Sequence, residues 1–359
     1  MRILFTSGRA FLPQTSGGVQ SSTMQLCMML AERGHEVAVM CRLIGGDWTA
    51  FESRVRRRLS RRKFSCDRRL GLPVYRSWDP TDTAEVVRDF KPDVAVVQSG
   101  EIMAIAQSLQ REGVPISLYL RHVEFEDFGG NPADLPNAQF IANSEFTASR
   151  YADHFGIRSE VIPPFVNRDL YETKTTRENV TFINPYPVKG RDIALSIAEG
   201  CPDIPFVFCE SWLIDDDLRA YLEPRIAALP NVTLRPRTND MKNIYSKARV
   251  LLAPSLWEEA WGRVATEAQF SGIPVLGSRR GGLPEAIGPG GVLLNADAPV
   301  ADWIAALRRM WDEPDHYAAL LDAALAHAAR PEIEPDYQIG MLETVLQKAA
   351  RAGGGRSAT

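Results

Sequence analysis

The sequence predicts an α/β protein built of two doubly wound, Rossmann-like domains. Three observations lead there. At 359 residues the chain is too long for one ordinary core and suits two domains of about 150–200 residues each. Runs such as Asp93–Gln98 and Ile116–Leu120 are almost continuously apolar, as in parallel strands covered by helices on both faces. Strand and helix signals alternate, break at Pro163-Pro164, and then start again.

The first series opens with a strand at Arg2–Ser7 and a loop carrying Gly17-Gly18. An amphipathic helix follows over Ser21–Arg33, stopped by Gly34, the usual left-handed cap residue. Further strands are expected at Glu36–Met40, Asp93–Gln98, Ile116–Leu120, Phe140–Ala142 and Glu160–Ile162. After the proline pair, a charged, apolar-poor stretch reads as a linker over residues 166–179. The second series places strands at Val180–Asn184, Phe206–Cys209, Val232–Arg235, Val250–Ala253, Pro274–Leu276 and Gly291–Leu294. The domains expected are thus residues 1–165 and 180–335, with any ligand near the carboxyl ends of the strands. The small, polar tail Gly353–Thr359 is expected to be disordered.

Composition excludes several classes. Hydrophobic residues at 45% and charged residues at 24% fit a soluble globular protein. No stretch approaches the ~18–20 apolar residues that a membrane-spanning helix needs. Met1-Arg2 leads directly into Ile3-Leu4-Phe5, so no signal peptide is expected. The five cysteines form no Cys-x-x-Cys pair, which argues against zinc or redox chemistry and for a reduced, cytoplasmic setting. A net charge of -4 argues against a nucleic-acid binder. The charge is uneven, however: seven of the ten residues from Arg54 to Lys63 are basic. That run suits a surface helix meeting anionic lipid, a patch steering an anionic acceptor, or a merely solvated segment.

The segment richest in chemistry runs from Pro254 to Ala268. On one regular helix Glu259 and Glu267 would differ by about 80° and lie ~12 Å apart along the axis. Gly262 instead puts Glu259 on an entry loop and Glu267 in the first helical turns, where both carboxylates suit one cleft. Capping and solvation of the helix start would use the same residues. Further on, Arg279-Arg280-Gly281-Gly282-Leu283-Pro284 is a glycine-rich loop opening a helix. Paired glycines allow close backbone approach, and such a loop is a ready anion site. Asp215-Asp216-Asp217 contains an Asp-x-Asp, but it precedes a helical run and reads as a cap with acidic first-turn residues. There is no His-Glu-x-x-His, P-loop or G-x-G-x-x-G, so no metal is expected.

Taken in order, these motifs resemble the family 4 glycosyltransferases of the GT-B fold. The resemblance rests on Pro254-Ser255, Glu258-Glu259, Gly262 and Glu267-Ala268, then Gly272-Ile273-Pro274-Val275 and Gly281-Gly282-Leu283-Pro284-Glu285. Gly17-Gly18, Gly34-His35-Glu36-Val37, Ala142-Asn143-Ser144-Glu145, Val161–Asn167 and Pro187-Val188-Lys189-Gly190 agree with it. It implies two domains facing across a cleft and a retaining, metal-independent transfer from a nucleoside-diphosphate sugar, without a further cofactor. It implies that Glu267 accepts from the ribose hydroxyls, Glu259 holds the donor sugar, and Lys189 neutralises the diphosphate. The backbone of Gly281, Gly282 and Leu283 would cradle diphosphate and sugar. Gly17-Gly18 would belong to the first-domain loop beside the donor, and His122 would line the cleft near the reacting carbon. A helix over residues 336–352 would cross back to the first domain.

One position departs from the family pattern. Asn184 stands where many members carry an arginine, so the second positive charge falls to Arg263 or Arg279. That departure motivates an alternative, a catalytically silent sugar-nucleotide-binding scaffold of the same fold. A sugar-nucleotide epimerase is a further rival. A nicotinamide-dependent oxidoreductase would need a G-x-G-x-x-G after the first strand, where Ser7-Gly8-Arg9-Ala10-Phe11 stands. The acceptor is left open among a glycan, a lipid-linked molecule and a small molecule. The setting expected is cytoplasmic, with peripheral contact at the inner face of a membrane through Arg54–Lys63.

Overall fold

The computed structural model describes residues 1–15, 17–212 and 214–354, without the side chain of Asp127. The chain forms two compact units, one of Met1–Phe165 with the segment from Pro335 onward, the other of Val166–Glu334.

Unit 1 runs β1 (Arg2–Ala10), α1 (Gly18–Glu32), β2 (Glu36–Arg42), α2 (Trp48–Ser60), β3 (Phe64–Asp67), β4 (Val74–Ser77), α3 (Ala84–Phe90), β5 (Val94–Val97), α4 (Ile102–Arg111), β6 (Ile116–Leu120), β7 (Gln139–Ala142), α5 (Glu145–Phe155) and β8 (Glu160–Val161). Its sheet has the order β3-β4-β2-β1-β5-β6-β7-β8. Pairing is parallel except where β3 meets β4. Side chains alternate between the two sheet faces. Leu4, Ala38 and Ala95 therefore pack with Val86, Phe90 and Leu109 of α3 and α4, while Ile3, Phe5, Val37 and Val39 pack with Leu26 and Leu30 of α1.

The hairpin β3–β4 has no clear apolar run because a fully buried charge sits within it. Arg76 Nε donates to Asp67 Oδ2 at 2.8 Å, and its Nη2 donates to the Leu12 carbonyl at 2.6 Å. The pair ties the loop after β1 to the sheet edge.

Unit 2 runs β9 (Asn179–Ile183), α6 (Arg191–Gly200), β10 (Phe206–Cys209), α7 (Asp216–Ala227), β11 (Val232–Arg235), α8 (Met241–Tyr245), β12 (Ala248–Ala253), α9 (Arg263–Gln269), β13 (Val275–Ser278), α10 (Leu283–Ile287), β14 (Gly291–Leu294), α11 (Val300–Asp312) and α12 (Pro314–Ala328). All its strands are parallel, in the order β11-β10-β9-β12-β13-β14. The strand order reverses between β9 and β12, and ligands of doubly wound sheets bind at such a reversal. Asp215 caps α7, accepting from the Leu218 amide at 2.8 Å, so the Asp-x-Asp is a helix start. Asn231, in a sequon, donates its amide to the carbonyls of Ala198, Cys201 and Ile204.

The last helix, α13 (Pro335–Gly354), adds Ile339, Leu342, Val345, Leu346 and Ala349 to the α1-side core of unit 1. Two expectations need correction. Residues 166–178 are not a free linker but part of unit 2. Val166 is buried in its core, Arg168 lies 4.6 Å over the Phe270 ring, and the Thr176 amide donates to Ser246. Few apolar residues are needed, because backbone hydrogen bonds and a cation–π contact hold the segment. Gly353 and Gly354, read as tail, end α13, and residues 355–359 lie outside the described residues.

Candidate functional site

The site of unit 2 grows from the loops that leave β9, β12 and β13. Asn184 follows β9 with a left-handed φ of 66°, which asparagine tolerates better than most residues. Its Oδ1 accepts from the Trp212 amide at 3.1 Å. The helical turn Pro187–Lys189 comes next and ends at Gly190, where φ is 81°. A Cβ there would stand 2.0 Å from the Pro254 carbonyl, so only glycine lets this turn lie against the exit of β12. The Val188 carbonyl accepts from the amides of Leu256 and Trp257, both at 2.9 Å.

This knit brings Lys189 to Glu259. The ammonium lies 2.5 Å from Glu259 Oε1, and each side chain is 18% exposed. Ser255 Oγ donates to the same oxygen at 3.1 Å. Lys189 also lies 5.1 Å over the Trp212 ring, which meets Tyr186 edge-on at 5.1 Å. Asn184 therefore positions Trp212, and Trp212 flanks the lysine.

Glu267 sits on α9, buried, with other partners. Tyr245 donates its hydroxyl to Oε2 at 3.0 Å, and Arg263 Nε lies 3.5 Å from Oε1. Tyr171 joins the cluster, accepting from Arg263 Nη2 at 3.3 Å. Burial pushes the Glu267 carboxyl above its ordinary value, and Arg263 and Tyr245 pull it back. Burial beside that carboxylate pushes the Tyr171 hydroxyl up to about 12. Glu259 and Glu267 thus stand on loop and helix, each with its own cation.

The glycine loop does something the sequence did not show. At Gly281, φ is 56° and a Cβ would lie 2.2 Å from the Glu259 carbonyl; at Gly282 it would lie 2.5 Å from the Ala260 carbonyl. The Gly282 amide donates to the Glu259 carbonyl at 2.6 Å, and the Leu283 amide to the Arg280 carbonyl at 3.2 Å. The Gly282 and Leu283 N–H groups thus donate within the protein, and the glycines let two loops touch. Leu283 itself is buried. Of the two arginines left open, Arg263 is engaged by Glu267. Arg279 is exposed and lines a concavity of about 400 Å³ with Leu256, Arg280, Asn295 and Asp297.

In unit 1, Gly17 is the extended N-cap of α1 and Gly18 its first residue. His122 follows β6. Its Nδ1 lies 3.4 Å from Glu124 Oε2, and its carbonyl accepts from Tyr151 at 3.0 Å. The His122 ring beside it holds Glu124 below the usual carboxylate range. Tyr171, Tyr245 and Trp212 were not singled out in the sequence, because they reach the site from segments outside the motif. Among the described residues, no three His, Cys, Asp or Glu side chains gather as metal ligands, and no helix is long and apolar enough to cross a membrane.

Two doubly wound units, with carboxylates and a lysine at the strand-order reversal of the second, define the GT-B class of glycosyltransferases. A Glycosyltransferase Family 4 profile matches residues 16–170, and a Glycosyl transferases group 1 profile matches residues 212–313. Each half of the chain thus carries a glycosyltransferase domain match, and its two parallel-sheet units have the GT-B fold of the solved neighbours. The chain is 30% identical over 226 residues to a D-inositol 3-phosphate glycosyltransferase of Nocardiopsis dassonvillei, covering 53% of this chain and 52% of that protein. A protein of the same name from Corynebacterium kroppenstedtii is 41% identical over 100 residues, 27% of this chain and 22% of that one. The chain thus spans about half the length, or less, of these curated relatives. Among solved structures, Anabaena Alr3699/HepE in complex with UDP and glucose shares the fold with a TM-score of 0.75 at 18% identity, covering 97% of this chain and 99% of that one. A glycosyltransferase from Rickettsia africae does so with a TM-score of 0.74 at 14% identity, covering 97% and 98%.

Proposed function

We propose that the chain transfers a glycosyl group from a nucleoside-diphosphate sugar to an acceptor hydroxyl with retention of configuration. The observation that carries this reading is the Lys189–Glu259 pair, set at the strand-order reversal of unit 2, whose residues 212–313 match the group 1 profile. Glu259 accepts from hydroxyls of the donor sugar. Lys189 has three N–H donors and answers both Glu259 and the diphosphate. Negative charge collects on the diphosphate as the glycosidic bond breaks, and a fixed cation stabilises it. Arg279 supplies the second positive charge, since Arg263 is engaged by Glu267. These cations serve in place of a metal.

A carboxylate offers about four acceptor sites. Glu267 therefore accepts from ribose hydroxyls while keeping Tyr245 and Arg263. Gly281, Gly282 and Leu283 shape the wall behind the donor sugar, and Asn184 positions the loop bearing Trp212. In unit 1, His122 donates to a substrate hydroxyl, with Glu124 beside its ring, and Gly17 and Gly18 are assigned to donor binding. The setting is cytoplasmic. UDP-glucose, bound in one HepE structure, is the first donor to try, and D-inositol 3-phosphate, named in the curated relatives, the first acceptor.

The test is a thermal-shift screen against nucleoside diphosphates and their sugars with and without chelator, followed by product analysis. A donor at a hundredfold excess over Kd stabilises by about 2.7 kcal/mol. We expect that shift with one base, chelator-insensitive and lost in Glu267→Ala. Glu259→Ala is expected to keep most of the shift and lose turnover. Product of the opposite anomeric configuration would overturn retention, and an epimerised donor without transfer would overturn the transferase reading.

A further inference from the structure

We propose that the outward face of α2 docks on an anionic lipid surface. The helix is built inside out for a globular protein. Its buried residues are Thr49, Ala50 and Ser53, which are small. Its large apolar residues face solvent instead: Trp48 is 70% exposed, Phe51 55%, Val55 44% and Leu59 81%. At about 100° per residue these four fall within an arc of about 80°, opposite the buried three. The stripe is preformed, with Asp47 capping the helix through the Ala50 amide at 2.8 Å and the Trp48 and Phe51 rings 5.3 Å apart.

The basic run is divided by its partners. Arg62 pairs with Asp89, Lys63 with Asp82, and Arg56 with Glu52, which also meets Arg69. Among the described residues no carboxylate lies within salt-bridge distance of Arg54, Arg57, Arg58 or Arg61. Phe64, the next apolar residue after the run, is buried in β3 and takes no part. What remains exposed is an apolar stripe flanked by Arg54 and Arg58, while the half-buried Arg57 lies on the opposite side of the helix. That is the chemistry of a helix lying in the headgroup layer, apolar face inward and cations on lipid phosphates. A second copy of the chain is a poor occupant, since pairing two such faces would set like charges against each other.

The proposal does not depend on the transferase reading, because vesicle binding needs no donor. The experiment is sedimentation of the full chain with vesicles of phosphatidylcholine alone and of phosphatidylcholine with phosphatidylglycerol. Binding is expected to the anionic vesicles and to weaken with salt. Trp48→Ser/Phe51→Ser/Leu59→Ser should abolish it without lowering Tm, since these side chains are exposed. Arg58→Gln should weaken it about fivefold, as expected for one charge near such a surface. Equal binding by the triple variant would overturn the proposal, as would no vesicle binding by the native chain. So would a concentration-dependent dimer that the triple variant loses.

Discussion

Glu267 shows how one residue's surroundings set its behaviour. Its folded-state pKa is raised, chiefly by burial. The folded protein therefore holds that proton more tightly than the unfolded chain. The cost of ionising it is absent below the ordinary value of 4.5 and builds as pH rises through the folded value. Glu267→Gln lacks this titration. Its Tm relative to the native chain is expected to climb from about pH 4 towards neutrality, in parallel melts of both proteins. A falling difference would mean that Arg263 outweighs burial. Asn184 makes a second case. Asn184→Asp keeps the acceptor for Trp212, whereas Asn184→Ala loses it and sits poorly at a positive φ. The expected cost of the alanine is about 1–2 kcal/mol by denaturant unfolding. The sequence marked both positions, but not the partners that explain them.

The strands of unit 2 were legible as elements because most are short apolar runs in a parallel sheet, and the edge strand β11 alternates instead, patterns that are local. The hairpin β3–β4 was not, since a buried Arg76–Asp67 pair replaces apolar side chains there. The glycine loop after β13 was legible as a loop but not in its role. Its glycines admit the backbone of residues 258–260, a contact that no spacing announces. Gly281→Ala should therefore cost about 1–3 kcal/mol through strain at a positive φ and displacement of Glu259. Activity should fall with it. Unchanged melting with unchanged kinetics would remove that role from the glycine.

At the scale of the whole molecule, the chain forms two compact units. Leu346 of α13 is fully buried in the core that α13 shares with α1, β5, β6 and β7. Leu346→Ala should cost about 2–5 kcal/mol. In hydrogen exchange, amides of residues 1–165 are expected to open faster, with those of 166–334 unchanged. Equal acceleration in both would show that the units unfold as one.

The sequence alone determined the two α/β series, the strand that leads into each candidate loop, and the order of motifs that marks the family. These are local patterns of periodicity, capping and composition, and they need no knowledge of distant neighbours. Tertiary structure decided the rest: that residues 335–354 complete unit 1, that residues 166–178 wrap unit 2, that Glu259 and Glu267 take separate cations, and that α2 turns its large apolar side chains outward. Each of these depends on which remote residues come within a few ångströms. Burial and pairing there are set by the packing of the whole unit rather than by the run of residues along the chain.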